Sequence, residues 1–307
     1  MSEHSPVARR RDVHAYLALL GVQLCFGSFP VFGKLALAEV PPLALAALRA
    51  VAGAAVLTVI ARVLDPGGAI DPKDRGTLAR LSFLGIVANQ VLFVFGLSRT
   101  TATNATLLTA MTPVLTLAAG AVLARQRPAR RRLFGIPVAL GGLLWLLDLS
   151  RLDFGDRTLA GNALILANAT CYSVFLVLAR DVFRRYSPIR VTAALFQYAA
   201  LPVVLVALPD LLRFRPESLS ARAWTGVGGT VLLATVVAYA LNGWALARTG
   251  AATTAMFIYV QPLVAMTLAK LVLGETPSPR TAVAAALIFA GIALAIWPAG
   301  RSRPTAA

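Results

Sequence analysis

The sequence predicts an all-α membrane protein of ten transmembrane helices arranged as two inverted five-helix repeats. Three observations lead there. Of the 307 residues 58% are apolar and 14% charged, and the mean hydropathy of +0.75 lies outside the range of water-soluble domains. Long apolar stretches recur from end to end, with the charges falling between them. The two halves of the chain also match each other at a nearly fixed offset.

A helical span needs roughly 20 mainly apolar residues, because each adds about 1.5 Å across a hydrocarbon core about 30 Å thick. The first window, 14–36, follows Arg9-Arg10-Arg11. Its apolar stretch is longer than a signal-peptide core, so it reads as a retained helix despite Ala36-Leu37-Ala38. Pro41-Pro42 opens the second window, 42–63, and Asp65-Pro66-Gly67-Gly68 closes it. The third and fourth cover 81–98 and 103–124, the latter ending before Arg127-Pro128. The fifth, 132–148, runs to the polar stretch Asp153 to Asp156, after which the sixth covers 159–180. Ser187-Pro188 starts the seventh, 188–210, and Arg215-Pro216 precedes the eighth, 224–246. The ninth, 252–272, ends before Pro277-Ser278-Pro279, which introduces the tenth, 280–298. Residues 1–13 and 299–307 are then tails, 14–148 and 159–298 the two repeats, and 149–158 the linker.

The net charge is +16, which in a soluble chain would suggest a nucleic-acid partner. Assigned to alternate sides of the membrane, nineteen Lys and Arg fall with the N-terminus and nine opposite, leaving Arg49 inside the second window. The positive-inside rule therefore places both termini in the cytoplasm. The basic surplus becomes a topology signal, the bilayer is the expected partner, and no nucleic acid is expected. An Ala- and Arg-rich composition fits a bacterial inner membrane, and both monomer and homodimer are compatible with it.

A shift of 146 places Cys25 on Cys171, Phe29 on Phe175, Lys34 on Arg180 and Pro42 on Pro188. A shift of 149 carries Leu97, Arg99, Thr100, Ala102, Pro113, Pro128, Arg131 and Gly142 onto Leu246, Arg248, Thr249, Ala251, Pro262, Pro277, Arg280 and Gly291. Five spans per half is odd, so the second half starts on the opposite side and the repeats are inverted. One design held in two conformations can open a central site alternately to each side, which is a carrier architecture. Duplication for packing alone, as in a channel or assembly subunit, is the rival reading.

The residues also resemble the EamA-type drug/metabolite transporter superfamily. Cys25-Phe26-Gly27-Ser28-Phe29-Pro30, Lys34-Leu35-Ala36-Leu37, Pro41-Pro42 and Ala46-Ala47-Leu48-Arg49 are similar to its W-G-x-x-F…K…PP…LR opening. Ala102, Met111-Thr112-Pro113 and Gln126-Arg127-Pro128 follow in the first copy. Gly250-Ala251, Val260-Gln261-Pro262, Leu273-Gly274-Glu275 and Ala290-Gly291 follow in the second. Cys25 stands where an aromatic is common, and Gln126 where the second copy has Glu275. The resemblance implies ten helices in two inverted repeats that export or exchange small metabolites such as amino acids.

Ionisable groups are costly in hydrocarbon, so Arg49 is a candidate anion contact, while Lys34 and Lys270 near span ends read as snorkelling anchors. All thirteen acidic residues fall in tails, loops or span edges, Asp148 and Glu275 among them, and His4 and His14 lie at the N-terminal end. That pattern favours facilitated diffusion or exchange over tight proton antiport, with proton-coupled efflux the alternative. Substrate-binding candidates are uncharged polar residues at mid-span depth: Ser28, Asn89, Gln90, Thr109, Thr112, Asn168, Tyr172, Gln197, Tyr198, Tyr239, Asn242, Tyr259 and Gln261. Phe175, Phe196, Trp244 and Phe257 add to an aromatic cluster in the second half, which suits neutral or aromatic amino acids. Trp224 and Trp297 read as interfacial belt residues. Gly27, Gly33, Pro113 and Pro262 are candidate hinges at helix ends. No phosphate loop, H-E-x-x-H or G-x-S-x-G is present, and no metal-ligand spacing surrounds Cys25 or Cys171. The expected protein is a secondary carrier with no cofactor or metal and no enzymatic activity.

Overall fold

The computed structural model describes residues 6–100, 102–126, 129–146, 156–264, 267–268 and 279–296, among which all regular structure is helical. α1 (Pro6–Leu37) turns at 38–41 into α2 (Pro42–Leu64). Pro42 sits in the first turn of α2, where a missing amide costs nothing, and Pro188 does the same for α9 (Pro188–Arg213). α3 (Arg75–Ser82) continues through a π-helical stretch, Phe83–Ala88, into α4 (Asn89–Leu97). α5 (Ala102–Thr109), α6 (Thr112–Leu123) and α7 (Arg130–Leu146) follow. Beyond α8 (Asp156–Arg185) and α9 comes α10 (Ala221–Val231), which passes through a second π-helical stretch, Leu232–Val237, into α11 (Ala238–Thr249). α12 (Ala251–Met256) leads into a 3-10 turn, Phe257–Val260, and α13 (Pro279–Ile296) is the last described helix.

Seven of the described helical segments are long and apolar enough to cross a bilayer, and Ala251–Val264 and Ala282–Ile296 are shorter apolar helices. The chain is an integral, multi-pass membrane protein. Several edges differ from the hydropathy windows. Helix begins at Pro72 rather than 81, because the Asp71 side chain accepts from the Lys73 amide at 3.0 Å and starts a charged first turn. The sixth helix extends on both sides of 159–180, from Asp156 to Arg185, and α1 reaches back into the segment read as a tail. The fourth window is broken: Pro113 lacks the amide that would bond the Thr109 carbonyl, and Thr112 Oγ1 donates to that carbonyl instead at 2.5 Å.

α2 packs along α9, α7 along α13, α1 against α10 and α11, and α8 against α4 and α6. The largest core gathers Leu57, Leu78, Leu81, Phe183, Leu195 and Phe196, and a second surrounds Leu19, Leu143, Tyr259 and Ile288. Where α7 meets α13, the backbones come so close that a Cβ on Gly291 would lie 2.6 Å from the Gly135 carbonyl oxygen. Close approach through small residues is how membrane helices gain packing energy. Gly291→Val is therefore expected to cost about 1–3 kcal/mol through forced separation. A detergent melting curve checks it, and an unchanged Tm would refute the close contact.

Polar contacts tie the loops at each end of the bundle. At the end carrying the 38–41 turn, Glu39 accepts from Ser220 Oγ at 2.6 Å and from its amide at 2.8 Å, which holds the Glu39 carboxyl below its ordinary range. Asp210 there accepts from the Leu43 amide at 2.9 Å. At the opposite end, Tyr186 Oη donates to Asp74 Oδ2 at 2.6 Å, and Arg185 pairs with the same carboxylate at 3.2 Å. The Asp74 contact pushes the Tyr186 phenol above its ordinary value. Arg190 holds both the side chain and the backbone carbonyl of Asp65.

Candidate functional site

A cavity of ≈ 370 Å³ lies inside the bundle, lined by α1, α2, α4, α5, α8 and α11, by Thr112 at the start of α6 and by the segment from Thr254 to Gln261. On α1, α2 and α4 its lining residues reach the end that carries the 38–41 turn, at Leu37, Pro42, Leu97 and Ser98. On α8 they are Asn168 and Tyr172 and on α11 Tyr239 and Asn242, the middle of the continuous helices 156–185 and 221–249. The cavity therefore extends from the middle of the bundle toward one end. Toward the other end lie the large apolar core and the Asp74–Tyr186–Arg185 contacts.

Helix interruptions build the wall. The break at Ala110-Met111 and the 3-10 turn before Gln261-Pro262 bring Thr109, Thr112 and Gln261 to the cavity. Ser173 Oγ donates to the Thr112 carbonyl at 3.1 Å, and Asn168 Nδ2 to the Asn89 carbonyl at 2.6 Å, so α8 satisfies carbonyls of the facing helices. Gln261 Nε2 donates to Gln23 Oε1 at 2.8 Å, and Asn242 Nδ2 to Tyr172 Oη at 3.2 Å. Tyr239 meets Phe26 and Phe196 edge-on, with ring centroids 5.5 and 5.0 Å apart. Arg49 Nε donates to Thr235 Oγ1 at 3.0 Å and Nη2 to the Ala234 carbonyl at 3.3 Å, and the guanidinium stacks 4.8 Å from the centre of the Phe29 ring. Both acceptors belong to the second π-helical stretch.

The structure brings Asn89, Gln90, Thr109, Thr112, Tyr172, Tyr239, Asn242, Gln261 and Arg49 to the cavity. It places other sequence candidates elsewhere. Ser28 is buried and donates to the Cys25 carbonyl of its own helix at 2.8 Å. Phe175 is a core residue that stacks on Tyr172 and presses on Gly85 of the first π-helical stretch. Tyr259 is fully buried in the second core, and its hydroxyl has no hydrogen-bond partner among the described residues. Tyr259→Ala should thus act on stability, costing about 3–5 kcal/mol, whereas Tyr259→Phe removes an unsatisfied hydroxyl and should leave Tm equal or higher. Thermal melts of both variants check this, and a large loss in the Phe variant would show that the hydroxyl has a partner.

Gly27 and Gly33 are interior to α1 rather than at a helix end, and a Cβ on Gly27 would lie 2.6 Å from the Val264 side chain. Gly27 serves helix approach. Pro113 and Pro262 do stand at interruptions. Gln197 and Tyr198 face outward, Phe196 and Phe257 are core, and Trp244 carries Arg248 over its ring at 3.9 Å. Trp224 is exposed, while Asp148, Lys270, Glu275 and Trp297 lie outside the described residues. The aromatic wall comes more from the first half, through Phe26, Phe29 and Phe93. Sequence reasoning also passed over Gln23, although a glutamine at mid-span depth was signal enough.

The profile of the EamA-like transporter family matches the chain twice, over residues 13–148 and 159–297. The chain belongs to the EamA-like transporter family. Its relatives are transporters, not enzymes. An uncharacterized transporter of Archaeoglobus fulgidus is 27% identical, over 92% of this chain and 96% of its own. A probable amino-acid metabolite efflux pump of Salmonella typhimurium is 28% identical over 94% and 95%, and a probable terminal-alkyne amino-acid exporter of Streptantibioticus cattleyicolor 29% over 72% and 73%. One solved crystal structure superposes with a TM-score of 0.77 at 20% identity, covering 92% of this chain and 96% of that one, and so shares the EamA fold. Within this EamA chain the π-helical stretches Phe83–Ala88 and Leu232–Val237 lie 149 residues apart, the offset that also carries Thr112-Pro113 onto Gln261-Pro262.

Proposed function

We propose that this EamA-family transporter is a secondary carrier that exports or exchanges small organic metabolites, neutral or aromatic amino acids foremost, by alternating access and without tight proton coupling. The observation that carries the reading is the central cavity, walled by both family-matched segments, extending to one end and backed at the other by core and by polar contacts between the segments. On this reading ten spans form two inverted halves, 14–148 and 159–298, and the 149-residue spacing of the helix interruptions supports the duplication. With both termini cytoplasmic in a bacterial inner membrane, the cavity faces outward. Among the described residues its lining has no Asp, Glu or His to relay protons, which supports uncoupled transport. The names of the Salmonella and Streptantibioticus relatives support an amino-acid-related substrate.

The test is counterflow of labelled neutral and aromatic amino acids and their derivatives into liposomes holding the purified protein, with and without a pH gradient. Saturable counterflow in the absence of a gradient is the expected result. Uptake that saturates only with a gradient and collapses with an uncoupler would establish proton coupling instead, and non-saturating flux would establish a channel.

A further inference from the structure

The cavity holds one full charge and nothing that neutralises it. Among the described residues no Asp or Glu pairs with Arg49, and the lining carries no carboxylate. Arg49 spends two of its five N–H donors on Thr235 Oγ1 and the Ala234 carbonyl, both neutral. A guanidinium held by neutral acceptors keeps its charge and its remaining donors for whatever enters. A second observation points the same way. Gln90 is 4% exposed and lines the cavity, yet among the described residues neither its Oε1 nor its Nε2 has a partner. Thr109 Oγ1, also in the lining, is buried and unpartnered as well. Leaving an amide unsatisfied in a buried wall is costly, and a ligand bearing both a donor and an acceptor would satisfy it.

We infer that the cavity binds monoanionic organic carboxylates: the carboxylate meets Arg49, a neutral hydrogen-bonding group meets Gln90 and Thr109, and an apolar body lies along the Phe26 and Phe93 rings. This rests on the carrier reading and moves its substrate class from the free amino acids to their monoanionic derivatives. A planar carboxylate matches the guanidinium fork, and bringing one negative charge into a low-dielectric site with one positive charge leaves none over. A zwitterionic amino acid adds an ammonium for which the wall has no acid, so the occupied site keeps a net positive charge. An amino acid whose nitrogen is acylated, or replaced by oxygen, has the matching charge. An amide of the same shape has no anion for Arg49.

The experiment compares N-acetylphenylalanine, phenylalanine and N-acetylphenylalanine amide, which share one ring and nearly one size. Direct binding to purified protein and counterflow in liposomes are both measured. N-acetylphenylalanine is expected to bind at least about tenfold more tightly than phenylalanine, with the amide weakest, and Arg49→Gln is expected to bring the acid and the amide to within about threefold of each other. The wild-type series stands without the variant, so a poorly folded Arg49→Gln does not shield the proposal. Equal binding of acid and amide, a preference for the zwitterion, or no binding of any of the three would each overturn it. The carrier reading fails separately: the expected binding order without counterflow keeps the anion site and removes the carrier, whereas counterflow indifferent to charge keeps the carrier and removes the anion site.

Discussion

Asp74→Ala is expected to shift the resting population by roughly 30-fold toward a conformation opened at the end that is now closed. Asp74 is 8% exposed and accepts the Tyr186 hydroxyl at 2.6 Å, joining the start of α3 in the first family-matched segment to the end of α8 in the second. Arg185 pairs with the same carboxylate but is half exposed, so its share is small. The weight falls on the charge-assisted bond from Tyr186, worth about 1.5–3 kcal/mol, and about 2 kcal/mol corresponds to that population ratio. Asp65–Arg190 is a weaker choice for the same test, since it joins α2 to α9, which already pack together along their length. Spin labels at the exposed Gly76 and Arg184 report on the α3 and α8 ends directly. Pulsed EPR in liposomes should show a longer distance becoming dominant in Asp74→Ala, with Asp74→Asn in between because its amide oxygen still accepts. An unchanged distance distribution would show that this contact does not hold the end closed.

Much of this arrangement is legible in the sequence because hydropathy and charge act along the chain. The helical segments, the mid-span guanidinium of Arg49 and the proline-marked interruptions at Thr112-Pro113 and Gln261-Pro262 all come from local signals. The direction in which a side chain points around its helix is a different quantity. In a bilayer both faces of a span are apolar, so the amphipathic pattern that orients helices in soluble proteins is faint. Tyr259 and Gln261 are two residues apart and equally polar in the sequence, yet one is sealed in a core and the other lines the cavity. For the same reason nothing in the sequence separates Phe175, which lies in the core, from Phe93, which lines the cavity. The π-helical stretches left no mark either: Phe83–Ala88 and Leu232–Val237 contain no proline, and only the second half's Thr235 hints at an unusual bond. The Asp74–Tyr186 contact spans 112 residues of chain and joins two ordinary polar loops.

Thr235→Val should show how far the π-helical stretch positions the anion site. Thr235 Oγ1 donates to the Thr230 carbonyl, five residues back, at 2.9 Å, and accepts from Arg49 Nε at 3.0 Å. Thr225 in the regular helix before it reaches the carbonyl four residues back, whereas in this wider turn Thr235 reaches the fifth and also serves Arg49. Valine keeps the shape and removes the oxygen, stranding one N–H of a buried cation and one carbonyl. A loss of about 2–3 kcal/mol in stability is expected, together with an apparent affinity for carboxylates weakened about tenfold. Unlike Arg49→Gln, this variant leaves the charge in place, so a weakened affinity would report where the guanidinium points rather than whether it is present. Thr235→Ser restores the hydroxyl and should recover both quantities, which separates positioning from bulk packing because serine is the smaller residue and packs less well. Melting curves and carboxylate competition on the three proteins decide it. If valine binds carboxylates as tightly as threonine does, Arg49 is aimed by Phe29 and the Ala234 carbonyl alone, and the π-helical stretch serves packing instead.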